Sequence, residues 1–234
     1  MKNIIAIIPA RGGSKRIKNK NIKLFNKKPM IYWSIQAAIK SNLFDRIIVS
    51  TDSRKIASYA KKFGAEVPFM RSKILADDIT SPYEVVKDSI LKIKGQLSKS
   101  THICCIYACA PNMAIKDLKY GYKESLKRKS YYVLPIVEYP HPIQRSFKLN
   151  KNKKIIVEDK KAILQRTQDL CTFYHDAGQF YWGNLNTWLK KELNLSNGYG
   201  FPIPYWRSID VDTLDDWERA EIMSKVISYR LNEK

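Results

Sequence analysis

Residues 4 to 20 read IIAIIPARGGSKRIKNK, and this segment constrains the fold more than any other part of the chain. The apolar run Ile4–Ile8 has the length and composition of a strand buried on both faces of a parallel sheet, and Pro9 ends it. Gly12 and Gly13 follow, and glycine lets backbone N–H groups approach a ligand without a Cβ atom in the way. The segment therefore predicts an α/β protein that binds a polyphosphate beyond its first strand.

Basic side chains crowd around these glycines and supply the countercharge that a polyphosphate needs. They are Arg11, Lys15, Arg16, Lys18 and Lys20. The spacing is not that of a Walker A loop, which requires G-x-x-x-x-G-K-S/T. A solvated basic turn is the alternative, since glycine and lysine often share surface loops.

The overall composition permits a fully folded domain and raises one competing function. The chain has 234 residues, of which 44% are hydrophobic, and this is enough to bury a full core. The formal net charge of +20 makes a basic nucleic-acid-binding protein the alternative from another class. The lysines are scattered along the chain, however, and no helix-turn-helix or RNP-like signature accompanies them, so we expect no nucleic-acid partner.

Membrane and secreted classes are disfavoured by the same sequence. No apolar stretch approaches the roughly 20 residues of a membrane-spanning helix, and Pro9 and Arg11 interrupt the first apolar run too early for a signal peptide. We therefore expect a cytoplasmic protein with no membrane partner. Its cysteines are then expected to be reduced thiols, and they are Cys104, Cys105, Cys109 and Cys171.

Apolar runs of strand length alternate with helical periodicity in the first half of the chain, which predicts βαβ units and a parallel sheet. The predicted strands are Asn3–Ile8, Arg46–Ser50, Glu66–Met70, His102–Tyr107, Tyr131–Val137, Phe180–Trp182 and Phe201–Tyr205. The predicted helices are Pro29–Lys40, Arg54–Phe63, one starting at Pro82 after an N-cap at Ser81, Ile115–Lys127 and one after a cap at Thr213. The pattern loosens at about residues 138–170, where we expect a small lobe inserted into a single domain of residues 1–234.

Ligands of open parallel sheets bind beyond the carboxyl ends of the strands, so the polar loops there are candidate sites. One such loop runs from Arg71 through Asp77 and Asp78 to the helix start at Ser81. Its polar groups could hydrogen-bond a base or a ribose near the helix N-terminus. The two acids could equally be loop residues that favour the positive end of that helix.

A second polar loop carries Asp210 and Asp212 on either side of Val211. Alternation along an extended backbone puts both carboxylates on one side. A hard divalent cation such as Mg²⁺ suits two carboxylates together with phosphate oxygens. The alternative is that Asp212 supports the Thr213 cap while Asp210 is solvated.

A third polar cluster lies in Tyr174–Trp182 and contains His175 and Asp176. Neighbours in an extended segment point to opposite faces, so this pair favours ligand recognition over acid–base chemistry. Upstream, the planar guanidinium of Arg166 is shaped to bind a carboxylate. A surface salt bridge would explain Arg166 nearly as well.

Three of these blocks, in this order, resemble the CMP-sialic acid synthetase family, the nucleotidyltransferases that make CMP-activated nonulosonic acids. The blocks are residues 7–15 (IIPARGGSK) with Lys20 and Asn21, residues 48–52 (IVSTD) and residues 210–213 (DVDT). The resemblance spans nearly the whole chain. Residues 174–182, 144–145 and 166–169 look most like the branch that acts on pseudaminic acid. The chain departs from the family at residues 107–111 (YACAP), where Ala108-Cys109 replace the usual Pro-Thr.

The resemblance implies a Rossmann-like, mostly parallel sheet flanked by helices, of the nucleotide-diphospho-sugar transferase type, with the inserted lobe serving a homodimer. It also implies an enzyme. The anomeric hydroxyl of a nonulosonic acid attacks the α-phosphorus of the co-substrate CTP, and pyrophosphate leaves. Sister enzymes acting on sialic, legionaminic or Kdo-type acids are the nearest alternatives.

The same resemblance assigns roles to individual residues. The implied catalytic residues are Arg11, Lys20, Asp210 and Asp212, of which the two aspartates bind Mg²⁺ or another divalent cation. The implied nucleotide-binding residues are Ala10, Arg11, Gly12, Gly13, Ser14, Lys15, Lys20, Asn21, Arg71 and Ser81. The implied sugar-acid-binding residues are Arg166, Gln168, His175, Asp176 and Gln179.

Overall fold

The computed structural model describes residues 3–128 and 131–232. Its strands are β1 (Ile4–Pro9), β2 (Leu24–Phe25), β3 (Lys28–Pro29), β4 (Arg46–Ser50), β5 (His102–Ile106), β6 (Val133–Glu138), β7 (Phe147–Leu149), β8 (Ile155–Val157), β9 (Tyr174–Asp176), β10 (Phe180–Asn184) and β11 (Tyr199–Pro202). Its α-helices are α1 (Met30–Ser41), α2 (Arg54–Lys62), α3 (Pro82–Lys92), α4 (Ile115–Lys127), α5 (Lys160–Leu164), α6 (Leu185–Trp188) and α7 (Leu214–Asn232). The predicted helices are confirmed, with each predicted end within one residue of the observed end.

The main sheet has the strand order β11-β6-β10-β5-β1-β4, and β9 pairs with β6. β1 is parallel to β4 and β5, and β11 is parallel to β6. β10 runs antiparallel between β5 and β6, so β6 points in the same direction as β5. The carboxyl ends of β1, β4, β5, β6 and β11 therefore lie along one edge, where α/β proteins bind ligands.

β1 is buried on both faces, which explains its continuous apolar sequence. Ile8 belongs to one buried cluster with Ile31 of α1, whereas Ile7 belongs to another with Ile90 of α3. No residue of Ile4–Ile8 is more than 4% exposed. Burial of each isoleucine side chain contributes about 1.5–3 kcal/mol. The loop that follows β1 therefore starts from a strand that is buried in the core.

Two helix starts predicted from the sequence are confirmed by reciprocal capping bonds. At α3, the Ser81 hydroxyl accepts from the Glu84 N–H at 3.3 Å and the Glu84 carboxylate accepts from the Ser81 N–H at 2.8 Å. At α7, Asp216 Oδ2 accepts from the Thr213 N–H at 2.9 Å and Thr213 Oγ1 accepts from the Asp216 N–H at 3.2 Å. Both capping pairs fix the backbone directly after a polar loop.

The predicted strand Glu66–Met70 is wrong. Glu66 alone pairs with β4, donating to the Ile47 carbonyl at 2.7 Å and accepting from the Val49 N–H at 2.8 Å. The next donor in a parallel ladder would be residue 68, and Pro68 has no N–H. The last predicted strand, Phe201–Tyr205, lies instead at Tyr199–Pro202, and a 3₁₀ turn occupies residues 205–207.

The segment between β6 and β9 leaves the main sheet. β7 and β8 form a separate antiparallel hairpin, and α5 follows it. The exposed apolar side chains of the hairpin and α5 are Phe147, Leu149, Ile155, Ile156 and Leu164. We call residues 139–173 the lobe. In the part of the chain that the structure describes, no helix combines the length and apolar character needed to span a bilayer.

Candidate active site

The loop after β1 is held by side chains from neighbouring strand ends. Asp52, which follows β4, accepts a hydrogen bond from the Gly12 N–H at 2.8 Å. The side-chain amide of Asn21 donates to the Arg11 carbonyl at 2.8 Å. A Cβ atom on Gly12 would lie 3.1 Å from Cβ of Ser53, so any larger residue would require the two loops to move slightly apart.

The backbone of this loop is therefore only partly available to an anion. Gly12 donates to Asp52, and the Ser14 N–H donates to the Gly12 carbonyl at 3.1 Å. Gly13 differs, because a Cβ atom there would meet nothing within 4 Å, and its N–H has no acceptor among the residues that the structure describes. At Gly13, therefore, a ligand oxygen can approach the backbone without meeting a side chain.

Two cations of the loop contact the segment that precedes α3. Nη1 of Arg11 lies 2.5 Å from the Asp77 carbonyl oxygen and 2.6 Å from Oδ1 of Asp78. Lys15 pairs with the other carboxylate oxygen of Asp78. The hydrogen bonds from Lys15 and Arg11 hold the pKa of Asp78 below its usual range, so this carboxylate is ionised.

Asp77 has a separate, local role. Its Oδ1 accepts from the Thr80 N–H at 2.7 Å and from the Ile79 N–H at 3.1 Å. These bonds form the turn that leads into α3. The sequence left open whether Asp77 and Asp78 bind a ligand or only shape their loop. Asp77 shapes the loop, whereas Asp78 contacts the basic loop.

Arg71 lies under the carboxyl end of β4 and is only 6% exposed. Its guanidinium donates to the Ser50 carbonyl and, at 3.3 Å, to the Ser50 hydroxyl. Burial lowers the pKa of Arg71 to about 10, so the side chain stays charged at neutral pH. Its contacts support the strand end, and its nucleotide-binding role stays a prediction, as does that of the capping residue Ser81.

The aspartate segment meets the basic loop directly, through Val211 and Asp212. Nζ of Lys20 lies 2.7 Å from the Val211 carbonyl oxygen and 3.2 Å from Oδ1 of Asp212. Nη2 of Arg16 lies 2.8 Å from Oδ2 of Asp212. Val211 is fully buried between Asp210 and Asp212, which are both accessible, so the predicted alternation holds although this segment is not a strand.

Asp210 is electrostatically unlike Asp212. Among the described residues, Asp210 has no ion-pair or hydrogen-bond partner, whereas Asp212 binds two cations. Partial burial raises the pKa of Asp210, and the like charge of Asp212 adds to this effect. Gly178, at φ +64°, lies against it, since a Cβ atom there would be 3.9 Å from Cβ of Asp210. A cation bound at Asp210 would relieve both unfavourable effects.

The cluster around β9 contributes one well-positioned carboxylate. Asp176 accepts from the Tyr181 hydroxyl at 2.5 Å and from the Gly178 N–H at 2.9 Å. Nδ1 of His175 lies 2.8 Å from the Asp176 carbonyl oxygen, and the His175 ring contacts Tyr139 with centroids 4.8 Å apart. The structure therefore brings Asp176, through Gly178, next to Asp210.

The other predicted sugar-acid residues lie in different environments. Gln179 is 3% exposed and donates to the Arg207 carbonyl at 2.9 Å, while its Oε1 has no partner among the described residues. Arg166 forms a two-point ion pair with Asp169, at 2.8 and 3.2 Å, on the surface of the lobe. For Arg166 the sequence predicted either binding of a ligand carboxylate or a surface salt bridge, and the contact with Asp169 is such a salt bridge. Gln168 is exposed beside it.

Two residues that support the loop, Asp52 and Cys109, were not predicted as site residues from the sequence. Cys109 donates to Oδ1 of Asn21 at 3.2 Å, and Asn21 is buried, so its amide supports the loop from behind. Burial raises the pKa of Cys109 to about 12 and keeps the thiol protonated. Each had a signal in the sequence, since Asp52 ends the IVSTD block and Cys109 marks the departure from the family.

A triphosphate bound between the basic loop and the aspartate segment would meet Gly13 and the cations of the loop on one side and Asp210 on the other. Such a division between an anion-binding loop and a carboxylate pair, at the carboxyl edge of a mostly parallel sheet, is that of a nucleotidyltransferase.

Comparison with known proteins narrows this class. Residues 5–206 match the family model described as Cytidylyltransferase, and the chain belongs to this family. It is 41% identical to the pseudaminic acid cytidylyltransferase of Campylobacter jejuni over 227 residues, and this alignment covers 97% of each chain. Over 92 residues, 39% of each chain, it is 51% identical to the CMP-N,N'-diacetyllegionaminic acid synthase of the same species.

A solved structure supports the fold. The CMP:2-keto-3-deoxy-manno-octonic acid synthetase complexed with CTP superposes with a TM-score of 0.69, covering 96% of this chain and 99% of that one. The two sequences are 15% identical, so this likeness concerns the fold alone. The predicted Rossmann-like fold of the nucleotide-diphospho-sugar transferase type is confirmed.

Proposed function

We propose that this cytidylyltransferase transfers CMP from CTP to the anomeric hydroxyl of pseudaminic acid and releases pyrophosphate. One observation carries the chemistry: Lys20 contacts Asp212 and Val211, so the basic loop and the aspartate pair share one cleft. The 41% identity over 97% of both chains supports the choice of acid. Activation of a legionaminic, sialic or Kdo-type acid is the alternative, and the 51% identity over 92 residues favours the first of these.

The basic loop would hold the triphosphate. Arg11 and Lys15 offer charged donors on the side of Asp78, and Lys20 offers one on the side of Asp212. Charge-assisted hydrogen bonds to phosphate are stronger than neutral ones, and donors fixed in advance need no reorganisation during the reaction. The role of these residues is therefore to fix the α-phosphorus in line with its attacker and to neutralise the leaving pyrophosphate.

Asp210 and Asp212 fit Mg²⁺ or another divalent cation. No group of three or more His, Cys, Asp or Glu side chains that could hold a metal occurs among residues 3–128 and 131–232. Mg²⁺ needs no such cage, because it binds one or two carboxylates together with substrate phosphates. When bound, Mg²⁺ would supply positive charge for phosphate oxygens. Asp210 offers a carboxylate to which no cation of the described residues is bound, and Lys20 and Arg16 hold Asp212 beside it.

In the transfer step, the sugar oxygen forms a bond to the α-phosphorus while the bond from that phosphorus to the bridging oxygen breaks. Pyrophosphate leaves with the electron pair, and the hydroxyl proton must be removed. Arg16 and Lys20 engage Asp212, so Asp210 is the less encumbered carboxylate for that proton or for the cation. Asp210 and Asp212 both lie where the sugar would enter, beyond Asp176.

The sugar acid would lie on the β9 side of the cleft. Asp176 is the best-supported contact, because Tyr181 and Gly178 fix its carboxylate near Asp210. His175 and Gln179 flank Asp176 along the chain. Arg166 and Gln168 belong to the same proposal, and Arg166 would have to leave Asp169 to bind the sugar carboxylate.

We also propose that the enzyme is a cytoplasmic homodimer. The lobe supports this assembly, since Phe147, Leu149, Ile155 and Leu164 are exposed together on a hairpin and its following helix. Apolar side chains grouped in this way mark interaction surfaces, and a second copy of the chain presents the same surface in a symmetric pair.

The deciding experiment offers the purified protein CTP, Mg²⁺ and each of four acids: pseudaminic, legionaminic, sialic and Kdo. Pyrophosphate release is measured for each acid, with ATP, GTP and UTP replacing CTP as controls. We expect release with CTP and strong preference for pseudaminic acid. Preference for another acid would replace the substrate, and no CTP-dependent release with any acid would remove the proposed function.

A further inference from the structure

Asp78 lies at a fixed place between two locally stabilised elements. Before it, Oδ1 of Asp77 closes the turn with the N–H groups of Ile79 and Thr80. After it, the Ser81–Glu84 capping box starts α3, whose Ile90 is fully buried against β1. The carboxylate of Asp78 is thus carried by backbone that is tied to the core, although the side chain itself is accessible.

The contacts of Arg11 are distributed unevenly over its guanidinium. Nη1 contacts two oxygen atoms of the segment before α3, the Asp77 carbonyl oxygen at 2.5 Å and Oδ1 of Asp78 at 2.6 Å. No partner for Nε or Nη2 of Arg11 occurs among the described residues. A guanidinium held by one terminal nitrogen keeps the Nε–Nη2 edge for two-point binding of a phosphate.

The same carboxylate also fixes the position of the second cation. Oδ1 of Asp78 binds Arg11 and Oδ2 binds Lys15, so one rigid group sets the spacing of two flexible side chains. Exposed ion pairs of this kind contribute little to folding. Their effect is greater on binding, because a long side chain that is ordered in advance loses less entropy when the ligand arrives.

A carboxylate this close to a triphosphate also has an unfavourable effect, namely repulsion. Here two cations share its single charge, so this side of the cleft stays positive. The other side follows the same arrangement, in which Asp212 holds Arg16 and Lys20. Each pair of cations in the loop is thus attached to one acid from a different part of the chain.

We propose that Asp78 is a positioning residue for triphosphate binding, which holds Arg11 and Lys15 in the geometry that CTP requires. This inference rests on the proposed function, in which Arg11 and Lys15 bind the triphosphate. It opposes the view that Asp78 competes with the nucleotide for these cations. The two views predict opposite effects of removing its charge.

The test compares Asp78→Asn and Asp78→Glu with the wild type by calorimetric titration of CTP and by KM for each substrate. Glu66→Gln is the matched control, because Glu66 also binds an arginine, Arg46, at 2.6 Å but lies near the amino end of β4. We expect Asp78→Asn to bind CTP about tenfold more weakly, with KM for the sugar acid unchanged. Asp78→Glu should recover most of the affinity, and Glu66→Gln should bind CTP like the wild type.

Equal or tighter CTP binding by Asp78→Asn would overturn the inference, and tighter binding would identify Asp78 as a competitor. A parallel rise of both KM values, with a fall in melting temperature larger than that of Glu66→Gln, would also overturn it, because that pattern indicates a structural role. These outcomes are separate from failure of the proposed function, which would appear as a wild-type protein that releases no pyrophosphate from CTP.

Discussion

The loop after β1 and the lobe are both polar excursions from the sheet, yet they are held in different ways. Asp52, Asn21 and Cys109 brace the loop through buried or half-buried contacts between residues distant in the chain. In the lobe, the ion pair of Arg166 with Asp169 and the hydrogen bond from Arg145 to the Gln165 carbonyl are exposed, and the hairpin also exposes apolar side chains. The groups that we propose to hold the triphosphate are thus anchored to the core, whereas the lobe exposes the surface that we propose for the dimer.

The largest predicted effect is that of Asp210→Asn. This substitution tests whether the reaction takes place beside the loop after β1 rather than at the lobe. We expect turnover to fall at least about a hundredfold, because the substitution removes a carboxylate from the cation site. Pyrophosphate release at saturating CTP and Mg²⁺ measures it. Stability should not fall with activity. Loss of a partly buried, repelled charge should raise the melting temperature by about 1 °C, and a large decrease would contradict this account.

Lys20→Met breaks the link between the loop and the aspartate segment. We expect kcat/KM for CTP to fall about a hundredfold, because the side chain joins the Val211 carbonyl and Asp212 to the basic loop. Lys18→Met removes the same charge at a neighbouring exposed lysine with no ion pair among the described residues, and as the comparison variant it should have a much smaller effect. Equal effects of the two variants would mean that only the overall charge of the loop matters.

The next largest effect is expected for substitutions in the lobe that weaken the proposed dimer. We expect Leu149→Ser with Ile155→Ser to shift the protein toward monomer in sedimentation velocity, because both side chains are exposed on the β7–β8 hairpin. Single-chain stability should change by less than about 0.5 kcal/mol per substitution. Leu91→Ser, at an exposed leucine of α3, is the control. A wild-type protein that sediments as a monomer would remove the dimer from the proposal.

The smallest effect concerns the buttress behind the loop. Cys109→Ala removes the donor to Asn21, and we expect KM for CTP to rise about threefold. Cys109→Ser keeps a donor of similar size and should stay within about twofold of the wild type. Steady-state kinetics on both variants checks this, and an equal loss in both would mean that thiol packing, rather than the hydrogen bond, supports Asn21.

Much of the fold follows from local sequence. The apolar run of β1, the capping pairs of α3 and α7 and the alternation around Val211 are all read over a few residues, and each is confirmed. These features depend on periodicity and on hydrogen bonds within one turn, which the chain specifies without reference to distant residues.

The sequence by itself determined an α/β protein with a basic glycine loop and a carboxylate pair. Only the tertiary structure decided that Glu66–Met70 is not a strand, that the Gly12 N–H is occupied by Asp52 and that Asp78 lies against Arg11. The physical reason is separation along the chain, since Asp52 is 40 residues from Gly12 and Asp78 is 67 residues from Arg11. Such contacts are set by strand order and packing, so no local pattern of residue types could specify them.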